Sequence, residues 1–143
     1  CTLREDAFFA HQEGVISDSE VLYCERFEQR ISMQGQEVYI FAVNKIPEVT
    51  QELLDQNGVN KDDVDFFIFH QANKRIIRSI ASKLGVPIEK CFMDLEEYGN
   101  TSAASVAIAM ADMRDKGLLK PGMLAVSVGF GAGLTYGGML FRA

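Results

Sequence analysis

From Gln36 to Gln56 apolar side chains recur at spacings of three and four: Val38, Phe41, Ala42, Ile46, Val49, Leu53 and Leu54. That period predicts an amphipathic helix. Asn57-Gly58 stops it, and Pro47 is expected to kink it or split it into two shorter helices. The pattern then changes to a continuous apolar run, Phe66-Phe67-Ile68-Phe69, of the kind that forms a buried strand in an α/β sheet. The run ends abruptly at His70-Gln71-Ala72-Asn73. Helical spacing returns over Lys74–Leu84, with Ile76, Ile77, Ile80, Ala81 and Leu84 on the buried side, and Gly85-Val86-Pro87 closes it. Cys91-Phe92-Met93 predicts a short strand. Gly99-Asn100 leads into a small-residue helix reaching about Lys116, stopped by Gly117. The end of the chain predicts a hairpin: a strand over Met123–Gly129, a glycine-rich bend over Gly129–Gly133, and a strand over Tyr136–Arg142. Residues Cys1 to Ser32 lack sustained periodicity. A turn at Gly14, Ser17, Asp18 and Ser19 and a strand fragment at the very start are expected there.

The resulting order, (β)αβαβαββ, predicts one α/β domain. Its sheet is expected to have five strands, largely parallel but made mixed by the closing hairpin, with helices on its faces. Composition agrees with a single packed core: the chain has 143 residues, 48% hydrophobic and 24% charged. No apolar stretch approaches the roughly 18 residues of a membrane span, and no leader pattern is present, so no membrane role is expected. The formal net charge of -6 argues against a nucleic-acid partner. Cys1, Cys24 and Cys91 are odd in number and widely spaced, which fits neither a disulfide framework nor a CxxC metal site and points to a reducing, cytoplasmic compartment. His11 and His70 are too scattered for a metal site, and His11 reads as a solvent-facing loop residue. With Cys1 instead of Met at its start, the chain is expected to be a fragment or a processed piece.

Candidate chemistry gathers at strand ends. His70 and Asn73 follow one strand and Asn100 opens the next helix, so all three are expected at one edge of the sheet, where ligands of such folds bind. A His and an Asn directing N–H groups at one point would make an oxyanion hole. The plain alternatives are a structural histidine at a strand end and an asparagine that caps its helix. There is no GxSxG elbow, and the glycine-rich bend lacks the Lys-Ser/Thr of a phosphate loop.

Three motifs, His70-Gln71-Ala72-Asn73, then Tyr98-Gly99-Asn100-Thr101-Ser102-Ala103-Ala104-Ser105, then Gly129-Phe130-Gly131-Ala132-Gly133-Leu134-Thr135-Tyr136-Gly137, resemble in that order the β-ketoacyl-[acyl-carrier-protein] synthase III family. The resemblance runs from about Met33 to the end. It implies a thiolase-like fold of two similar halves, with residues 1–143 as the C-terminal domain and the N-terminal domain bearing the catalytic Cys absent. It implies an acyltransferase of fatty-acid initiation that joins acyl-CoA to malonyl-acyl-carrier-protein with loss of CO2. His70 and Asn100 match the family's catalytic pair, which holds the malonyl thioester carbonyl. Phe130 matches a site-lining Phe; Ala132 departs from a triple-Gly version of the bend, although its backbone N–H remains. Gly35, Ala72, Asn73 and Ile76 match the channel for CoA and pantetheine. Arg75, with Lys74 and Arg78 beside it, matches the carrier-protein docking surface. By this resemblance no cofactor is bound, CoA and phosphopantetheine thioesters being substrates, and the partners are acyl carrier protein, acyl-CoA, the chain's own N-terminal domain and a second copy in a full-length homodimer. None of the three cysteines fits the nucleophile, so the chain alone is expected to be inactive. The rival expectations are a non-catalytic carrier- or partner-binding module, and half of a related polyketide-type condensing enzyme.

Overall fold

A computed structural model describes residues 22–24 and 31–143, with side chains from Met33 onward. The expected strand fragment at the start, the turn at Gly14 to Ser19, Cys1 and His11 lie outside the described residues. Strands β1 (Leu22–Cys24) and β2 (Ile31–Met33) pair antiparallel as a separate two-stranded unit, Tyr23 opposite Ser32.

Helix α1 (Gly35–Gln56) runs through Pro47 without dividing into two. Interior proline removes a backbone hydrogen bond and costs about 3 kcal/mol. Here Pro47 is itself buried, as are Ala42, Ile46, Val49, Thr50 and Leu54 of the same helix, and removing its ring from water offsets part of that loss. Helix α2 (Lys74–Leu84) has the bounds its apolar period predicts, and Gly85 ends it in the left-handed conformation, φ 70°. The two helices run parallel. Tyr39 Oη bonds Ser79 Oγ at 2.9 Å, and five residues along α1 Lys83 Nζ reaches Asn44 Oδ1 at 2.5 Å.

The main sheet has the order β3-β4-β5, from β3 (Phe66–Phe69), β4 (Leu124–Gly131) and β5 (Thr135–Arg142). β3 and β4 pair parallel, Phe66 opposite Ala125; β4 and β5 pair antiparallel, Leu124 opposite Arg142. Asp65 sets the start of this register: its N–H donates to Leu124 O, and its carboxylate accepts from Leu124 N, both at 2.8 Å. Side-chain alternation explains the all-apolar β3. Phe67 and Phe69 enter the larger core with α1 and α2, whereas Ile68 packs with Ala109 and Met113 of α4 (Ser105–Asp115) on the opposite face.

Three corrections apply to the expected sheet and its loops. The described residues form a three-stranded sheet plus the separate pair, not five continuous strands. The strand expected at Cys91-Phe92-Met93 reduces to a single bridge, Phe67 with Cys91. After Phe92 N donates to Phe67 O at 3.0 Å, the ladder is taken over by a side chain: Gln71 Nε2 donates to Phe92 O at 3.2 Å and Gln71 Oε1 accepts from Asp94 N at 3.3 Å. The glycine-rich bend is also shorter than expected, because Gly129, Phe130 and Gly131 pair with Gly137, Tyr136 and Thr135. At the remaining tip only Gly133 is sterically required: a Cβ there would lie 2.5 Å from Thr135 Cγ2 and 3.0 Å from Thr135 N. No helix among the described residues is long and apolar enough to cross a membrane.

Asp94 carries a buried carboxyl whose ionised form the nearby Lys116 offsets only in part. It is 5% exposed, neither carboxyl oxygen has a hydrogen-bond partner among the described residues, and burial raises its pKa above the usual carboxylate value. A raised carboxyl pKa means the folded state holds the proton more tightly, so stability falls as pH climbs from about 4 through the folded pKa. Asp94→Asn is therefore expected to raise unfolding free energy near pH 7 by roughly 1 kcal/mol and to flatten that slope. Urea titrations near pH 4.5 and pH 7 check this; equal pH slopes in the two proteins would contradict it.

Candidate functional site

The polypeptide leaves β3 at His70, whose N–H still joins the ladder by donating to Val128 O at 2.9 Å. Ala72 N then bonds back to His70 O at 2.8 Å, a tight turn that frees the chain for α2. Asn73 starts that helix, its Oδ1 accepting from Ile76 N at 2.8 Å. The His70 side chain is half-buried. The edge of one ring meets the face of the other where it packs against Phe130, with centroids 5.0 Å apart and planes at 83°. Its Nδ1 lies 2.5 Å from Ser105 Oγ, and the same oxygen accepts from Gln71 N at 3.3 Å. Burial lowers the His70 pKa below 6.5, so the ring is neutral at neutral pH.

Asn100 arrives by a different route. The short helix α3 (Leu95–Tyr98) ends at Gly99, φ 65°, and Asn100 Oδ1 accepts from Ser102 N at 2.9 Å. Ser102 is itself left-handed, φ 53°, and a turn of 3-10 helix over Ser102–Ala104 delivers the chain to Ser105. Asn100 therefore organises a turn in front of α4; the cap position of α4 belongs to Ala104, which has no side-chain bond to give. With Oδ1 engaged by Ser102 N, the group of exposed Asn100 left without a hydrogen bond among the described residues is its NH2, a donor.

Of the residues picked from the sequence, His70 and Phe130 are brought into direct contact, and Asn100 belongs to the turn that ends at His70's partner Ser105. Ala132 is half-buried at the hairpin tip, its carbonyl bonded by Thr135 Oγ1 at 2.9 Å. Gly35 begins α1 and, because α1 and α2 are parallel, lies at the same end of the helix pair as Asn73. Ala72 packs at the margin of the larger core, while Ile76 is turned into it, 4% exposed. Lys74, Arg75 and Arg78 line an open groove of about 570 Å³ with Ser79, Ser82 and Lys83. They are not equivalent: Lys74 is ion-paired to Glu96, Arg75 stacks over the Tyr39 ring at 5.1 Å, and Arg78 is exposed. Cys91 is buried in the core with its thiol pushed up to about 12, chiefly by burial and then by Glu89, so it is a poor nucleophile at neutral pH.

Two residues of the site escaped the reading of the sequence. Gln71, 1% exposed, bonds Phe69 O at 2.8 Å besides its contacts to Phe92 and Asp94. Ser105, also 1% exposed, holds His70. The signal for Ser105 was present: Ser105, Ala109 and Met113 recur every four residues, which places the serine on the buried stripe of α4, where its hydroxyl needs a partner.

The family described as 3-Oxoacyl-[acyl-carrier-protein (ACP)] synthase III C terminal matches residues 54–143. The chain belongs to that synthase III family. The beta-ketoacyl-[acyl-carrier-protein] synthase III of Oleidesulfovibrio alaskensis is 47% identical over 112 residues, covering 78% of this chain and 34% of that protein. The chain thus spans about a third of the length of the curated relatives it matches. The crystal structure of 3-oxoacyl-[acyl-carrier-protein] synthase III from Aquifex aeolicus superposes with a TM-score of 0.82 at 41% identity, covering 87% of this chain and 40% of that one. The priming beta-ketosynthase of the R1128 polyketide biosynthetic pathway superposes at 0.78 with 34% identity, covering 85% and 40%. The α/β architecture is accordingly the thiolase-like one of the synthase III family.

Burial of neutral His70 has a consequence for stability. Its folded pKa is depressed below 6.5, so as pH falls from there the unfolded chain takes up a proton before the folded one does, and stability is lost through that window. His70→Gln removes this loss. The stability of the natural chain relative to the variant should decline between about pH 7 and about pH 5. Urea midpoints at the two values check it, His11 cancelling in the comparison; a constant difference would contradict the assignment.

Proposed function

We propose that this chain is the C-terminal half of a condensing enzyme that joins an acyl-CoA to malonyl-acyl-carrier-protein, and that His70 and Asn100 together stabilise the enolate formed as CO2 leaves. The supporting observation is the 2.5 Å contact between His70 Nδ1 and Ser105 Oγ. It ties the His70-to-Asn73 motif to the turn that Asn100 organises, inside the region that matches the family.

The chemistry follows from the donors. The bond between the malonyl carboxylate and its α-carbon breaks, CO2 departs, and the electron pair passes into the thioester carbonyl. The oxygen that gains charge is met by Nε2 of neutral His70 and the NH2 of Asn100, preorganised donors in a partly dry site. The α-carbon then attacks an acyl thioester carried on a Cys of the N-terminal half, and the Cys thiolate leaves. Phe130 walls the imidazole from water on one side. Ala72, Asn73 and Gly35 border the approach for the pantetheine arm; since Oδ1 of Asn73 caps α2, its NH2 is the group available to that arm. Arg75 and Arg78 offer the carrier protein a basic face on a chain of net charge -6, with Lys74 already neutralised by Glu96. On this reading the partners are acyl-CoA, the carrier protein, the N-terminal half and a second copy of the full-length chain, and the compartment is cytoplasmic.

The likeness to the priming beta-ketosynthase favours a second reading, with the same reaction and a different starter unit for polyketide-type products. Turnover with acetyl-CoA against longer or branched acyl-CoAs separates the two.

In the full-length protein, His70→Ala and Asn100→Ala are each expected to lower malonyl-thioester decarboxylation by about 10²-fold or more. The 143-residue chain alone should release CO2 without forming a condensation product, or not react at all. Near-natural decarboxylation by His70→Ala would remove that residue from its role.

A further inference from the structure

We infer that Ser105 is a positioning residue that sets the tautomer of His70, giving its hydroxyl proton to Nδ1 and so keeping the ring proton on Nε2. The inference rests on the proposed function only for its catalytic consequence, not for the tautomer itself.

A serine hydroxyl has one proton to donate and two lone pairs to accept with. Ser105 is 1% exposed, so water does not take that proton, and buried hydroxyls are satisfied by partners within the protein. Oγ has two polar contacts among the described residues. Gln71 N, at 3.3 Å, is an amide N–H and only donates, so it uses a lone pair of Oγ. His70 Nδ1, at 2.5 Å, is the remaining contact and is an acceptor only when it carries no proton. Were the ring proton on Nδ1, Oγ would receive two N–H groups while its own proton faced no acceptor. The Nε2–H tautomer satisfies all three groups at once; the Nδ1–H tautomer strands one.

The surroundings reinforce this. Among the described residues the ring's aromatic and hydrogen-bond contacts are Phe130 from β4 and Ser105 from α4, neither of which titrates. Charging the ring would put a proton on Nδ1 against the hydroxyl proton, forcing the hydroxyl to turn from its one acceptor among the described residues. Ser105 therefore opposes protonation as well as choosing the tautomer. For the reaction proposed above, the outcome is that Nε2 carries a hydrogen toward the carbonyl oxygen at neutral pH, the state in which an imidazole stabilises an oxyanion without first giving up a proton.

The test is the ring 15N spectrum of the 143-residue chain, which contains only one other histidine, His11. His70 is expected to show protonated Nε2 and unprotonated Nδ1. Ser105→Ala should move both nitrogens toward a mixture and raise the His70 pKa, and Ser105→Thr, which keeps the hydroxyl, should restore both. A protonated Nδ1 in the natural chain overturns the inference. In the full-length protein Ser105→Ala should lower decarboxylation kcat roughly tenfold with little change in KM, and should move the acid limb of the pH profile upward. An unchanged profile would also overturn it. A correct tautomer together with an active His70→Ala protein would instead leave the tautomer assignment standing and remove the proposed function.

Discussion

The structure depends on the burial of β3 on both faces. A strand with Phe67 and Phe69 under α1 and α2, and Ile68 under α4, has no solvent to satisfy its backbone, so both of its edges must find partners. One edge is met by parallel pairing with β4. The other is met by one bridge at Cys91 and then by the two-ended amide of Gln71, which bonds Phe69 O and Phe92 O and accepts from Asp94 N. That substitution of a side chain for a strand is what lets the polypeptide leave the sheet at His70. A longer neighbouring strand would carry the ladder past this point and leave no mouth in which a polar side chain could stand half-exposed.

Much of this was legible from spacing, and the exceptions share a cause. β3, α2 and the closing hairpin follow from period and stop signals that lie within each segment. Pro47 predicts a kink or a division of the helix because a local rule takes no account of the burial of its ring. Cys91-Phe92-Met93 was read as a strand because apolar composition does not reveal that Gln71, more than 20 residues earlier, supplies the next pair of hydrogen bonds. His70 stood out as a polar residue ending an apolar run; Ser105 did not, being one small residue among several. The difference lies in the α4 stripe, where the burial of a hydroxyl demands a partner that linear sequence leaves unnamed.

Charge is distributed unevenly. The chain is acidic, yet Lys74, Arg75, Arg78 and Lys83 gather on the solvent side of α2 around one groove. Several of these cations have contacts within the chain, of which only the first neutralises charge: Lys74 with Glu96, Lys83 with the Asn44 amide, and Arg75 with the face of Tyr39. Exposed pairs of this kind add little stability. Their effect is to hold long side chains in defined places, so that Arg78 remains the groove cation without such a contact among the described residues, and Arg75 is held near the helix ends where Gly35 and Asn73 lie.

The segment from Asn100 to Ser105 performs two tasks that demand the same geometry. Its first residue must turn an amide NH2 outward, which the bond from Ser102 N to Oδ1 achieves by occupying the oxygen. Its last must place a hydroxyl beneath His70, which requires the chain to reverse and enter α4 within four residues. Ser102 accepts a left-handed backbone, φ 53°, to make that reversal, at a penalty of about 1 kcal/mol for a non-glycine residue. Glycine at 102 would relieve the strain but would leave the turn freer in the unfolded chain and less fixed in the folded one. The small residues Ala103 and Ala104 then complete one turn of 3-10 helix, so the hydroxyl arrives on the buried stripe of α4 instead of one position to either side. A single short turn thus links the residue that fixes the Asn100 amide to the residue that contacts the imidazole, and on the proposed reading displacing either end of it disturbs both donors.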